Sequence, residues 1–290
     1  MAAKIISGKE ISAHIKEQVK EQVQALTGTL SRAPGLAVIL AGDNPASKIY
    51  VENKKKACAF CGIKSFEYLL PQNVSEAELL ALIEKLNGNG EVDGILCQLP
   101  LPEHINENNI IEAISPEKDV DGFHPVNAGR LLAGRASLLP CTPAGIIEML
   151  KYENIPMAGK RCAVVGRSSI VGKPAALLLL QNNATVTVCH SKTENLRDIL
   201  LQSDIVIAAV GHPHLITGDM IKEGAVVIDV GINRLPNGKI TGDVDFESVE
   251  KKAAAISPVP GGVGPMTISL LMRNTLTAAA YLAQTEKKKN

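Results

Sequence analysis

The stretch KIYVENKKKACAF, residues 48–60, sets three lysines in succession among residues that favour a helix. At about 100° per residue, Tyr50, Lys54, Ala57 and Cys61 share one side of that helix, while Lys55 and Lys56 point elsewhere. Two of the lysines can stay in water. Lys54 instead shares a stripe with a tyrosine and small apolar residues. A lysine held away from water keeps a larger neutral fraction, and a neutral amine can accept a proton. Whether that lysine does chemistry is the question its spacing raises, set against the plain reading of a lysine run as a solvated face.

A second stretch, VVGRSSIVGKPAALLLL (Val164 to Leu180), reads as a strand, a Gly/Ser turn and an apolar helix. Gly166 permits a tight turn, Ser168 and Ser169 can donate to phosphate oxygens, Gly172 leaves room for backbone approach, and the helix amino end favours an anion. Ser168 stands where common dinucleotide sites carry a second glycine, so the local pattern also fits an ordinary turn between strand and helix. The next strand ends in CHSKT, with His190, Ser191 and Lys192 and no carboxylate to hold ribose hydroxyls. With Arg167 in the first turn, that exit suits the 2′-phosphate of NADP better than NAD.

These residues need elements to carry them, and strand and helix alternate along the chain. GLAVILAG (35–42), KSFEYLL (64–70) and VDGILCQLPLP (92–102) read as strands of a first half that ends near Asp121. Between them lie the lysine helix and SEAELLALIEKLN, where Ser75 and Glu78 form a capping-box pattern. A short helix is expected near Asn108 to Ile114, before the loop SPEKDVDGFHP. In CTPAGIIEML, Thr142 is a natural cap with Pro143 at the first helical position. RCAVVG, ATVTVCH, DIVIAAVG and AVVIDVG then form a second strand series, Val/Ile-rich without strict alternation, as parallel strands covered on both faces should be. The Gly/Pro loop ISPVPGGVGPMT leads into a final helix, ISLLMRNTLTAAAYLAQ, which could pack back on the first unit. The lysine-rich tail EKKKN is expected to fray. The fold class is α/β with two domains, the C-terminal one a Rossmann-type parallel sheet. Boundaries fall near 122–140 and 260–270, and ligands are expected at the carboxyl ends of the strands.

Composition narrows the partners. The chain has 290 residues, 46% hydrophobic and 21% charged, with 30 basic side chains against 30 acidic ones. Net charge thus offers no argument for nucleic acid or a membrane surface. Apolar runs such as AALLLL are far too short to span a bilayer, and the start lacks a signal-peptide core, so a cytoplasmic address is expected. Cys58 and Cys61 form a C-x-x-C, but no second pair accompanies them for zinc, and buried small hydrophobes are the better reading. His212 and His214, split by a proline, have no neighbouring carboxylate or cysteine cluster in sequence; no metal is expected.

YVENKKKA, QLPLP, KDVDGFHP, PCTPAG, GRSSIVGKP and SPVPGGVGPMT, in this order, together resemble the bifunctional methylenetetrahydrofolate dehydrogenase/cyclohydrolase family. The resemblance runs from the first strand to the last helix. It implies a homodimer of two-domain α/β chains, with the active site in the cleft between domains. The folate domain would comprise residues 1–121 plus 268–290, and the NADP domain residues 140–267. It implies oxidation of 5,10-methylenetetrahydrofolate to the 5,10-methenyl form with NADP, then hydrolysis to 10-formyltetrahydrofolate at the same site. Matched position by position, Lys54 is the catalytic lysine, Tyr50 the residue stacking on the folate, Gln98 the partner of the lysine and Asp121 the grip on the pterin. Asp121 is thereby selected over Asp119, although Asx-turn chemistry is the plain explanation for either. Gly166, Arg167, Ser168, Ser191 and Ile232 match cofactor-binding positions. Pro258 to Met266, with Pro260, Gly261 and Gly262, match the loop lining the folate site, though a stiff linker would look similar. The nearest competing readings are a two-domain NADP dehydrogenase of the shikimate type and a nucleotide-sensing module without catalysis.

Overall fold

In the computed structural model, residues 2–287 are described, so residues 288–290 of the lysine-rich tail lie outside them. The chain forms two compact units, Met1–Ser12 with Thr142–Thr267 and Ala13–Cys141 with Ile268–Asn290. Along the chain, strand β1 (Lys4–Ile5) and helix α1 (Gly8–Leu30) come first. Then follow β2 (Gly35–Ala41), α2 (Pro45–Cys61), β3 (Lys64–Leu70), α3 (Glu76–Asn87), β4 (Gly94–Cys97), α4 (Glu107–Ala113) and α5 (Pro125–Leu132). The remainder holds α6 (Cys141–Tyr152), β5 (Arg161–Val165), α7 (Gly172–Gln181), β6 (Thr185–Cys189), α8 (Leu196–Leu201), β7 (Ile205–Ala208) and β8 (Val226–Asp229). A small antiparallel pair, β9 (Asn233–Arg234) and β10 (Ile240–Thr241), precedes α9 (Phe246–Val249), β11 (Ala255–Ile256) and the long α10 (Val263–Lys287).

The unit built on residues 13–141 centres on a three-stranded parallel sheet in the order β3-β2-β4. All seven residues of β2 are buried, which fits its continuous apolar run and central place. The core joins β2 and β4 side chains such as Ile39 and Ile95 to Leu79, Ile83 and Leu86 of α3. Ser75 and Glu78 form the capping box at the start of α3, each side chain satisfying the other's backbone N–H. A bridge between Ile95 and Asp119 lays the segment before Asp121 alongside β4. Helix α5 arises where the sequence reads as boundary, with His124 accepting from the Val126 N–H and Pro125 at its first turn.

The unit built on residues 142–267 holds a six-stranded, all-parallel sheet in the order β1-β11-β8-β7-β5-β6. From β5 the chain moves outward to β6, then back across to β7 and β8, so the order reverses between β5 and β7. That reversal opens a crevice at the strands' carboxyl ends.

Residues 1–12, read on sequence with the first half, cluster in space with the second unit, where β1 pairs with β11, Lys4 opposite Ala255. Three expectations are corrected. Helix α6 starts at Cys141, so Thr142 does not cap it; its hydroxyl meets that of Thr267 at 2.9 Å instead. Helix α10 starts at Val263 rather than Ile268, since Pro265 falls in a first turn that needs no N–H from it. Strand β6 is not covered on both faces: it is a sheet edge, and only Cys189 of its five residues is buried.

Each of the six cysteines is buried and free of disulfides. Burial pushes the thiols of Cys58, Cys97 and Cys162 up to about 12, so thiolate chemistry at neutral pH is closed to them. Among the described residues, no helix is long and apolar enough to cross a membrane, and no group of three or more His, Cys, Asp or Glu could hold a metal ion.

Candidate active site

Helix α2 separates its lysines as helical phase requires. Lys55 and Lys56 are exposed and paired, the first with Glu67 at 2.9 Å and the second with Glu52 at 3.8 Å. Lys54 is 7% exposed, with Ala57, Cys58 and Cys61 buried on the same side. Its ammonium donates to Gln98 Oε1 at 2.8 Å. The Gln98 amide nitrogen donates in turn to the Leu99 carbonyl at 2.7 Å, and its backbone N–H continues the sheet to Ile39 O. A strand end thus fixes the amide, and the amide fixes the lysine. Burial lowers the Lys54 pKa below the usual lysine value, opposed chiefly by the nearby Asp121 carboxylate. Tyr50, one turn earlier on α2, is 38% exposed and leaves its ring accessible.

Asp119 and Asp121 have different tasks. Asp119 is buried and accepts from the backbone N–H groups of Gly122, Phe123 and His124 and from the Asn127 side-chain amide. The Asx-turn reading belongs to it. Asp121 makes no such turn; burial pushes its carboxyl up to about 6, with Lys54 pulling down and Asp119 pushing further up. Asn274 of α10 holds this loop by donating to the Val120 and Leu139 carbonyls, both at 2.8 Å. Sequence reading overlooks Asn274. Its signal is an amide one turn from the buried Leu270 and Leu271.

In the other unit, β5 is followed by Gly166, whose φ of 128° lies where side-chain-bearing residues strain. A Cβ there would stand 2.1 Å from the Ala209 carbonyl oxygen, and one on Gly172 would stand 2.2 Å from the Gly166 carbonyl oxygen. Backbone therefore fills the space that side chains would need, leaving a thin-walled cradle beneath residues 167–170, which are exposed. Ser168 Oγ accepts from the N–H groups of Val171 and Gly172 at 3.2 Å each, which shapes the turn and leaves its own proton to donate outward. Register pairs Val165 with Cys189, so Arg167 and Ser191 leave the sheet at the same level on adjacent strands, both exposed. The pair can meet a phosphate there, and a dinucleotide phosphate fits this exit.

At the exit of β8, Ile232 is 53% exposed, with its Cδ1 4.0 Å from where a Cβ on Gly264 would be. Gly261 has a φ of 105° and accepts from the Lys9 N–H, and a Cβ on Gly262 would meet the Pro258 carbonyl oxygen at 2.5 Å. The loop is packed backbone to backbone, including against Gly8 at the start of α1. Pro260 stands exposed at its crest. The unit's two buried carboxylates, Asp229 and Asp243, are a second feature that sequence reading overlooks. Burial pushes the Asp229 carboxyl up to about 6 although the N–H groups of Asp243, Val244 and Gly231 pull it down.

Residues 6–121 match the model of the tetrahydrofolate dehydrogenase/cyclohydrolase catalytic domain, and residues 140–283 match that of its NAD(P)-binding domain. The bifunctional protein FolD of Acetivibrio thermocellus is 57% identical over 98% of this chain and 99% of its own. The crystal structure of the bifunctional enzyme FolD from Campylobacter jejuni is 52% identical, superposing with a TM-score of 0.94 over 97% of this chain and all of that one. A Trypanosoma brucei methylenetetrahydrofolate dehydrogenase-cyclohydrolase, complexed with NADP cofactor and inhibitor, is 40% identical with a TM-score of 0.93, covering 98% and 99% of the two chains. A shikimate dehydrogenase from Thermus thermophilus shares the fold alone, at 12% identity and a TM-score of 0.53 over 85% of this chain and 99% of its own. With both domain models matched in order and relatives above half identity along nearly its whole length, the chain belongs to the tetrahydrofolate dehydrogenase/cyclohydrolase family.

Proposed function

We propose that this enzyme, an NADP-dependent methylenetetrahydrofolate dehydrogenase and methenyltetrahydrofolate cyclohydrolase, performs its hydrolytic step through Lys54 held by Gln98. The 2.8 Å hydrogen bond between them, on a lysine that burial has made easier to deprotonate, is the observation that carries the assignment. NADP, when bound, supplies the hydride acceptor. Removing hydride from a methylene between two nitrogens needs little acid–base help, because the adjacent lone pair stabilises the resulting cation. The chain must orient the folate and exclude water from the transfer path. Tyr50 offers a ring on which the folate stacks, and Asp121 accepts from the adjacent N–H donors of the pterin edge. The Pro260, Gly261 and Gly262 backbone lines the folate.

Hydrolysis asks for more. Neutral Lys54 takes a proton from water as its oxygen bonds the methenyl carbon, and the lysine then returns a proton to the leaving ring nitrogen. Overall one water is consumed and one proton released. Gly166, Arg167, Ser168, Ser191 and Ile232 hold the cofactor, with Arg167 and Ser191 selecting the 2′-phosphate. The product is a one-carbon donor of the kind purine synthesis consumes. A cytoplasmic homodimer completes the proposal, checked by a solution mass twice the chain's 30.7 kDa.

The test is spectrophotometric. With methylenetetrahydrofolate and NADP, NADPH absorbance should grow, more slowly when NAD replaces NADP. No NADPH from the folate, with turnover of shikimate instead, would defeat the reading. A pH effect is also expected. Asp121 grips the pterin as a carboxylate and carries a pKa of about 6, so the KM for folate should rise as pH falls through about 6. Asp121→Asn should bind folate weakly at every pH and lose that dependence.

A further inference from the structure

We infer that Asp243 is the positioning residue of the cofactor site, fastening the loops that leave β7 and β8 into one backbone frame. This inference rests on the cofactor reading above. Asp243 is fully buried and carries four hydrogen bonds on its two oxygens. Oδ2 accepts from the N–H groups of Val210 at 2.7 Å and Gly211 at 3.0 Å. Oδ1 accepts from the His212 N–H and the Asn233 side-chain amide, both at 2.9 Å. Val210 to His212 are the residues by which the chain leaves β7, on one wall of the crevice where strand order reverses. Asn233 directly follows Ile232 at the exit of β8. One carboxylate therefore sets the separation of two loops that border the cofactor.

The frame is locked from the other side by Asp229. Its Oδ1 accepts the Asp243 N–H at 3.0 Å, and its Oδ2 the Val244 N–H at 3.0 Å. Each carboxylate lies against a glycine of the other segment. A Cβ on Gly242 would stand 1.8 Å from Asp229 Oδ2, and one on Gly231 would stand 2.3 Å from Asp243 Oδ1. No side chain other than a carboxylate presents two acceptor oxygens at this reach. An amide must turn its NH2 toward two donors. With Asp243 wholly buried, its influence on the cofactor passes through the backbone it holds.

Hydrolysis of supplied methenyltetrahydrofolate needs no hydride acceptor, so the two activities separate this role from a general contribution to folding. Asp243→Asn should raise the KM for NADP and weaken calorimetric NADP binding by about 10- to 100-fold, the loss expected for hydrogen bonds to a buried charge. Hydrolysis of supplied methenyltetrahydrofolate should stay within about twofold of wild type. Asn233→Ala removes a single donor from a half-buried side chain and should raise the same KM by a few fold. If Asp243→Asn does not fold, this second variant decides. Unchanged NADP affinity in whichever variants fold, or hydrolysis falling in parallel with NADP affinity, overturns the inference. Wild-type enzyme that fails to bind NADP would instead overturn the cofactor reading itself.

Discussion

Lys54→Met is expected to slow hydrolysis of supplied methenyltetrahydrofolate by about 10²- to 10⁴-fold, the range a positioned acid–base group contributes. Methionine matches the lysine stem in length and apolar character, so it suits the same buried position on α2. Gln98 loses its 2.8 Å partner, and its oxygen is left to water or substrate. Removing the amine also leaves the buried Asp121 carboxyl without the cation that pulls its pKa down, so the variant should lose some stability at neutral pH as well as hydrolysis. NADPH formation should fall far less, because hydride departure places no demand on a base at this position. Methenyltetrahydrofolate would then accumulate, and its absorbance gives a direct readout. Hydrolysis at the wild-type rate in the folded variant would remove Lys54 from the mechanism.

The second large effect is expected at Gly166→Ala. The added methyl would stand 2.1 Å from the Ala209 carbonyl oxygen, on a backbone with φ of 128°. Strain at such a φ and overpacking against backbone together should cost about 2–5 kcal/mol of stability. Relief can come only from pushing β5 and β7 apart at the crevice, which also displaces the turn carrying Arg167 and Ser168. Urea unfolding should show a lower midpoint, and NADP affinity should drop at least about tenfold. Gly159→Ala offers a contrast, since that residue also has a positive φ but nothing within 4 Å of the added carbon. It should show a smaller stability loss and unaltered NADP binding. An unfolding midpoint for Gly166→Ala equal to that of wild type would show the cradle to be more yielding than its packing implies.

What the sequence discloses follows the range of each interaction. The capping box of α3 closes within four residues and is readable from Ser75 and Glu78 alone. Lys54 is distinguished from Lys55 and Lys56 by phase, because burial on a helix is periodic and its neighbours share the stripe. Thr142 misleads because its hydroxyl is engaged by Thr267, a partner from a distant segment that no local rule contains. Strand β1 escapes notice as two residues whose ladder is with the distant β11. Asn274 and Asp243 escape for a related reason. Their donors and acceptors come from Val120, Leu139, Val210 and Asn233, and only the folded chain brings these to one place. The separate tasks of Asp119 and Asp121 likewise depend on which carboxylate the following N–H groups reach.

The pairing of Lys4 with Ala255 also bears on the order in which the protein can be made. On the ribosome, β1 emerges long before β11 and must wait for it. The other unit waits as well, because its Val120 and Leu139 carbonyls are satisfied by Asn274 of the last helix. Neither unit can therefore finish and bury its surfaces while the other is still being synthesised, as beads on a string would. Unpaired strand edges and open apolar faces persist until those later segments emerge, the condition under which nascent chains depend on chaperones. Emergence of β11 and α10, rather than completion of either half, sets the moment at which both units can close.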